Sequence, residues 1–204
     1  MTTREAFMAP IRAALEPIEV PAPAPRWRSD LVPSDASGDL ESRWAAFEGQ
    51  LSAVNGTPLR GLEAVGRWLL EKGCRFGYCD PDLLERARGT AAFSGLEVGD
   101  VFDRSQVDAY EFGITRASGA ITTTGTVILK DGETPARLAA LAPWIHVAVV
   151  TPAQLHAGIE AALADLGADP SVIWVTGPSK TADVEGILIE GAHGPGLQGV
   201  CLDG

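Results

Sequence analysis

The strongest constraint on the fold is a repeated pattern in which short apolar runs alternate with a helix-capping residue followed by proline. The capping pairs are Thr57-Pro58, Asp80-Pro81, Thr134-Pro135 and Thr151-Pro152. A threonine or aspartate oxygen accepts a bond from a free N–H of the first helical turn, and proline at the next position has the helical φ. Apolar runs of strand length lie at 75–79, 146–150 and 171–175. This alternation predicts an α/β protein with a largely parallel sheet.

Other segments refine this prediction to a three-layer α/β/α open sheet with an inserted β-rich segment. Residues 112–130 are rich in threonine, glycine and β-branched side chains, which favours consecutive strands and turns. A last strand is predicted at Leu197–Leu202. The spacing of Trp44, Phe47, Leu51 and Val54 predicts one buried face of a helix that ends at a turn.

A further helix is predicted behind the capping box that Thr151 forms with Gln154. Its apolar stripe consists of Leu155, Ile159, Leu163 and Leu166.

The first 40 residues differ in pattern from the rest of the chain. Residues 4–18 predict a short amphipathic helix, whose apolar face consists of Phe7, Ile11, Ala14, Leu15 and Ile18. Five prolines then lie between Pro17 and Pro33, a density that excludes a helix and indicates an extended arm. We therefore expect a helix and a proline-rich arm over 1–40 and an α/β domain over 41–204.

Composition excludes several classes of function. The chain has 204 residues, a formal net charge of −11 and 46% apolar residues, enough for one full core. An acidic chain with no basic face is unsuited to nucleic acid or to an anionic membrane surface. The first 20 residues lack the apolar stretch of a signal peptide, and we expect a cytoplasmic protein.

The segment 176–183, Thr-Gly-Pro-Ser-Lys-Thr-Ala-Asp, is the most informative candidate for chemistry. It follows the run at 171–175, and ligands of open α/β sheets bind at turns between a strand and a helix. Gly177 allows close backbone approach, Ser179 or Thr181 caps a following helix, and Lys180 adds a positive charge. These features predict a carboxylate or phosphate site at a helix N-terminus, and the alternative is a capped turn whose lysine points into solvent.

Two further segments carry candidate polar groups. The hydroxyls of Thr124 and Thr126, with Gly125 between them, are suited to donating to a ligand oxygen, although threonine is also a common strand residue. His193 precedes Gly194-Pro195 and is a candidate for proton transfer, or else a hydrogen-bonded turn residue.

The two other histidines are interpreted as structural. His146 begins an apolar strand and is expected to be a hydrogen-bonded core residue, whereas His156 is expected on a helix in solvent. The G-x-G-x-x-G match at 194–199 lies too close to residue 204 for the helix of a dinucleotide site and is discarded.

These segments together resemble the LUD-domain family. The resemblance runs from Ile114 to the C-terminus and depends on four stretches: 119–126, 143–150, 176–185 and 191–195. It implies a fold like that of glucosamine-6-phosphate deaminase, ribose-5-phosphate isomerase and the CoA transferases. It also implies a role in oxidising L-lactate to pyruvate together with iron–sulfur partner proteins, with this chain binding a small carboxylate or other anion.

One departure from the family pattern bears on catalysis. The family carries a glutamate where this chain has Thr123. Either the chemistry resides elsewhere, for instance on His193 or Asp183, or this member binds without catalysing. The fold also permits a stand-alone enzyme acting on a phosphorylated sugar or CoA ester, or a non-catalytic interaction protein.

The three cysteines, Cys74, Cys79 and Cys201, have neither the number nor the spacing for a four-thiolate cluster. We therefore predict that the protein purified alone is colourless and free of iron, with no cofactor or metal of its own. Visible absorbance and iron analysis after cluster reconstitution test this. Stoichiometric iron with a charge-transfer band would contradict it.

Overall fold

The computed structural model describes residues 3–15, 38–134, 136–167, 171–182 and 188–204. The chain divides into two compact units, residues 1–32 and 33–204. The described part of the first unit is the predicted helix, α1 (Arg4–Leu15), in which no residue is buried. Phe7, Ile11 and Leu15 of its predicted apolar face are exposed. The proline-rich arm and residue 18 lie outside the described residues.

A six-stranded parallel sheet organises the second unit and confirms the predicted fold class. Its spatial order is β1 (Thr57–Arg60), β12 (Leu197–Leu202), β7 (Ile145–Val150), β4 (Phe112–Arg116), β2 (Phe76–Cys79) and β3 (Glu97–Gly99). Every residue of β7 is buried, as expected for an apolar strand in a parallel sheet covered on both faces. The strands predicted at 75–79, 146–150 and 197–202 are confirmed.

Helices cover both faces of this sheet. They are α2 (Leu40–Ala53), α3 (Gly61–Glu71), α4 (Pro81–Arg88) and α5 (Arg137–Leu141). A further helix, α6 (Ile159–Asp165), packs through Ala162 against Ile121 and Ile128 instead. Val147 and Val149 of β7 belong to the core shared with α3 and α4, whereas Ala148 and Val150 belong to the core shared with α2. Because successive side chains of a strand point to opposite faces of the sheet, β7 contributes to both halves of the core. No helix in the described ranges is both long and apolar enough to cross a membrane.

The predicted β-rich insertion is present as a second sheet. It has four strands in the order β8 (Leu155–His156), β5 (Gly119–Ile121), β6 (Thr126–Lys130) and β9 (Val172–Thr176). The strand predicted at 171–175 therefore exists, but β9 pairs antiparallel with β6 and is not part of the parallel sheet.

A two-stranded hairpin formed by β10 (Lys180–Ala182) and β11 (Leu188–Glu190) follows β9.

The capping pairs predict helix starts with mixed success. Asp80 caps α4, where its carboxylate accepts a bond from the N–H of Asp82 at 3.1 Å, as predicted. Thr57-Pro58 instead begins β1, and this prediction is wrong. Because β1 is an edge strand that pairs only with β12 in the sheet, a proline without an N–H is tolerated there.

The two later pairs also fail to begin full helices. Helix α5 begins at Arg137 after Ala136, not directly behind Thr134, and Pro135 lies outside the described residues. Gln154 accepts a bond from the N–H of Thr151 at 2.8 Å, but the box closes one 3-10 turn before the chain enters β8. Consequently Leu155 lies on a strand, and α6 begins only at Ile159.

His146 is a hydrogen-bonded core residue, as predicted. Its Nδ1 lies 3.0 Å from Oε1 of Gln198 and its Nε2 lies 2.9 Å from the Thr115 hydroxyl. The Gln198 amide nitrogen donates to the Gly199 carbonyl, so its Oε1 accepts from His146 and the Thr115 hydroxyl donates to Nε2. Burial disfavours the charged imidazole and lowers the pKa of His146 to about 4, although the bond to Gln198 opposes this.

His156 does not lie on a solvated helix. It is part of β8, and its side chain is only 11% exposed. Burial lowers the pKa of His156, and the carboxylate of Asp165, 3.9 Å away, acts in the opposite direction.

Acid should destabilise the protein partly through His146. The folded pKa of about 4 lies below the unfolded value of about 6.5, so the unfolded chain binds more protons between these values. Stability from this group is complete above pH 6.5 and is lost as the pH falls toward 4, with a slope of up to ~1.4 kcal/mol per pH unit. We expect the free energy of unfolding of His146→Gln, measured with urea, to fall less steeply with decreasing pH across this range than that of the wild type.

Thr115→Val is the matched control for this experiment. It removes one hydrogen bond but keeps the titrating imidazole, so the acid slope should persist even where stability at neutral pH falls. Equal slopes in wild type and His146→Gln would contradict the assignment.

Candidate functional site

The predicted site segments converge at the C-terminal end of α2. The Thr124 hydroxyl lies 2.7 Å from that of Thr126, which in turn lies 2.8 Å from that of Thr176. This hydroxyl chain joins the turn between β5 and β6 to the end of β9. Two of the three predicted segments are therefore neighbours, brought together by the pairing of Thr126 with Thr176 in the second sheet.

Two glycines of these segments allow the backbone to approach α2 closely. Gly125 and Gly177 both have positive φ, 65° and 71°. A Cβ on Gly125 would overlap the backbone at Leu51, and one on Gly177 would overlap the carbonyl of Val54. The close approach predicted for Gly177 is thus present, but the neighbour is α2.

Lys180 also contacts the end of α2. Its Nζ donates to the carbonyl oxygen of Val54 at 2.9 Å and lies 3.7 Å from a carboxylate oxygen of Glu190. The same Glu190 oxygen accepts a bond from the side chain of Asn55 at 2.6 Å. A cation at the last carbonyls of a helix is favourable because the macrodipole is negative there.

The helix predicted to begin near Thr181 is absent, and this prediction is wrong. Thr181 lies in β10, where it pairs with Ile189 of β11, so a strand partner satisfies the backbone groups that a helix would have satisfied. Asp183 lies outside the described residues.

The His193 loop is attached to Ser179. The N–H of Ser179 donates to the carbonyl of Pro195 at 2.9 Å, and the N–H of Gly191 donates to the carbonyl of Ser179 at 2.9 Å. These two bonds hold the turn at 193–195 against the segment after β9. His193 itself is exposed.

Ser179 and His193 line a cleft of about 280 Å³, which we call the acid-free cleft. It is bounded by residues from α5, β9, the turn after β9, the His193 loop and β12; the full set is Ala140, Leu141, Ile173, Trp174, Val175, Thr176, Gly177, Pro178, Ser179, His193, Gly194, Pro195 and Gln198. None of these described lining residues is an aspartate or glutamate. Three larger clefts of the described structure each contain at least two acidic side chains.

The acid-free cleft lies at the amino-terminal edge of the parallel sheet. The His193 loop directly precedes β12, whose first residue, Leu197, pairs with Ile145 at the start of β7. Gln198 closes the cleft floor at 2% exposure and connects it to the His146 network.

Sequence reasoning missed a charged group at the opposite, carboxyl-terminal edge of the sheet. Arg116, the last residue of β4, places Nε 3.0 Å from Oδ1 of Asp80 and Nη1 2.7 Å from Oδ2 of Asp82. Nearby, Arg86 lies 2.7 Å from Asp203, which follows β12. Each of Asp80, Arg116 and Asp203 lies at or directly after the end of a parallel strand, and that position was the available signal.

The three cysteines are free and buried. Burial raises the pKa of Cys74 to about 11 and those of Cys79 and Cys201 to about 12, so the thiols stay protonated at neutral pH. Among the described residues, no three His, Cys, Asp or Glu side chains are arranged to hold a metal ion.

The fold and the converging motifs define a known class of protein. Residues 97–198 match the LUD domain, and the chain belongs to the LUD-domain family. This confirms the resemblance seen in the sequence.

The chain is similar to curated relatives named lactate utilization protein C. The relative from Deinococcus radiodurans is 33% identical over 96 residues, which cover 45% of either chain. That from Bacillus licheniformis is 35% identical over 91 residues, 41% of this chain and 38% of the relative. That from Halalkalibacterium halodurans is 28% identical over 122 residues, 52% of this chain and 53% of the relative. The matched segment therefore spans about half or less of these relatives.

A solved structure, that of a duf162 family protein from Deinococcus radiodurans, has a TM-score of 0.47 with this chain at 19% identity. The comparison covers 82% of this chain and 99% of that one.

The contact of Gly177 with α2 predicts that adding one methyl group at this position lowers the stability of the protein. Gly177→Ala places a side chain at φ 71° and against the Val54 carbonyl. We expect this variant to have a free energy of unfolding lower than that of the wild type by ~1–3 kcal/mol. Gly49→Ala is the control, because its Cβ meets no atom within 4 Å and it lies inside α2. This control should stabilise by roughly 0.5–1 kcal/mol.

Urea denaturation of both variants measures the difference. Equal stabilities for Gly177→Ala and wild type would contradict the described packing of this turn on α2.

Proposed function

We propose that this protein is a subunit of a lactate utilization system and that it binds a small carboxylate in the acid-free cleft. The observation that carries the proposal is the LUD match over residues 97–198, because every lining residue of the cleft lies within that segment. The curated relatives to which the chain is similar are named for lactate utilization.

The electrostatics of this cleft suit an anion. The chain has a formal charge of −11, so an approaching carboxylate is repelled by most of the surface. The acid-free cleft instead offers the Ser179 hydroxyl and the His193 imidazole with no carboxylate on its described lining.

The size of the cleft supports a ligand of a few heavy atoms. Its volume of about 280 Å³ lies just below the range of about 300–1,000 Å³ that drug-sized ligands occupy. A three-carbon hydroxy acid such as L-lactate fits this volume.

His193 is the proposed proton acceptor. A neutral imidazole is suited to taking the hydroxyl proton of a 2-hydroxy acid near neutral pH. Oxidation of lactate to pyruvate releases two electrons and two protons, and the buried, protonated cysteines are unsuited to holding an electron carrier. We propose that iron–sulfur partner subunits take the electrons, and that the system acts in the reducing cytoplasm, where free thiols persist.

Calorimetric titration with L-lactate tests the binding site. Ser179→Asp introduces a carboxylate into the cleft and should weaken binding at least tenfold. Ser94→Asp is the matched control, because Ser94 is exposed and lies outside the four clefts, and it should bind as wild type does. Equal weakening in both variants, or none in either, would contradict the proposal.

His193→Gln separates binding from catalysis. In an assay reconstituted with the partner subunits, this variant should keep its affinity for lactate within a fewfold range and lose most of the turnover. Full turnover from the folded variant would end the catalytic assignment and leave a binding subunit.

A further inference from the structure

We infer that Arg116 binds the oxyanion of a small molecule, a carboxylate or a phosphate, in the place that Asp82 occupies in this structure. The site lies at the carboxyl-terminal edge of the parallel sheet. It is separate from the acid-free cleft, which lies at the opposite edge of the same sheet.

The position follows from the path of the chain around the sheet. From β2 the chain continues through α4 to β3, on one side of the neighbouring pair β2 and β4. From β4 it continues through β5, β6 and α5 to β7, on the other side. The connections diverge between β2 and β4, which is where open α/β sheets have their ligand crevice. Asp80 follows β2 and Arg116 ends β4, so both lie at that point.

The guanidinium of Arg116 has a fixed orientation. Its Nε contacts Oδ1 of Asp80, which is 1% exposed and also accepts a bond from the N–H of Asp82. A buried carboxylate held from two directions sets the plane of the guanidinium. Preorganised arginines of this kind suit planar recognition of carboxylate or phosphate.

The present partner of the outer nitrogen is easily replaced. Asp82 contacts Nη1 at 2.7 Å, but its side chain is 65% exposed. Exposed ion pairs of this type contribute little to stability, so a ligand oxyanion displaces Asp82 at small cost. Asp82 is thus an internal competitor for the site.

The surrounding cleft is built for a ligand larger than a single ion. Its volume is about 470 Å³, and Arg86, Arg116, Thr151 and Gln154 are among its lining residues. Its other carboxylates have cationic partners, Asp203 with Arg86 and Glu133 with Lys130.

The inner carboxylate is not part of the surface that a ligand contacts. Oδ2 of Asp80 is buried and has no hydrogen-bond donor among the described residues, and Asp80 is not among the residues that line the cleft. The ligand therefore contacts Arg116 on its outer side, where Asp82 lies.

Titrations with inorganic phosphate and with L-lactate, followed by backbone amide NMR shifts at Asp82 and Leu83, test the inference. Asp82→Asn removes the competitor and should tighten binding severalfold. Glu85→Gln is the matched control, because it removes one exposed carboxylate from the same helix without touching Arg116, and it should leave affinity unchanged. Arg116→Lys keeps the charge but loses the planar fork, and should weaken binding about tenfold.

The titrations have results that support the oxyanion site at Arg116 and results that overturn it. A response to phosphate, to lactate or to both, strengthened by Asp82→Asn and not by Glu85→Gln, supports the site and identifies the oxyanion. No response in either wild type or Asp82→Asn overturns it, as does equal tightening in Asp82→Asn and Glu85→Gln. Ser179→Asp, which tests the proposed function, should leave these shifts unchanged, so the failure of one site does not imply the failure of the other.

Discussion

The structure depends on one strand, β7, which pairs with β4 on one side and β12 on the other and is buried along its whole length. Its alternate side chains contribute to both halves of the core, so α3 and α4 on one face and α2 on the other pack against the same strand. The buried imidazole of His146 is compatible with this position only because Thr115 and Gln198, on the two neighbouring strands, satisfy both ring nitrogens. A polar group at the centre of an apolar sheet thus links three strands side by side.

The segment 176–183 has a structural role in this chain as well as a proposed ligand role. Its residues Gly177 and Lys180, like Gly125, contact the end of α2, a helix that lies outside the segment matched to the LUD domain. Ser179 and the His193 loop remain available to a ligand, because their mutual hydrogen bonds use backbone groups and leave the side chains on the cleft. The segment 176–183 therefore separates into residues that anchor the turn and residues that face the cleft.

The sequence predicts correctly those elements that depend only on residues close together in the chain. The apolar run of β7 and the capped start of α4 needed no distant partner to be recognised. The segment at 180–182 was mistaken for a helix start because its strand partner, β11, is recognisable only from the paired structure. Likewise, Lys180 was expected at an anion, but its partner, the Val54 carbonyl, lies 126 residues earlier in the chain. The nearness of Arg116 and Asp80 depends on strand order, which single-sequence patterns do not contain.

The extent of the family match, 97–198, has a consequence for how the domain can be divided. A fragment that begins at residue 97 would retain β4, β7 and β12 but lose β1 and β2, which border them in the sheet. The backbone N–H and C=O groups along the outer edges of β12 and β4 would then lack their strand partners. The apolar faces of the sheet would also lose the helices α2, α3 and α4 that cover them. We therefore expect that the region matched to the family does not fold on its own in this protein. Shortened forms for crystallisation or fusion should begin before α2, not at the boundary of the match.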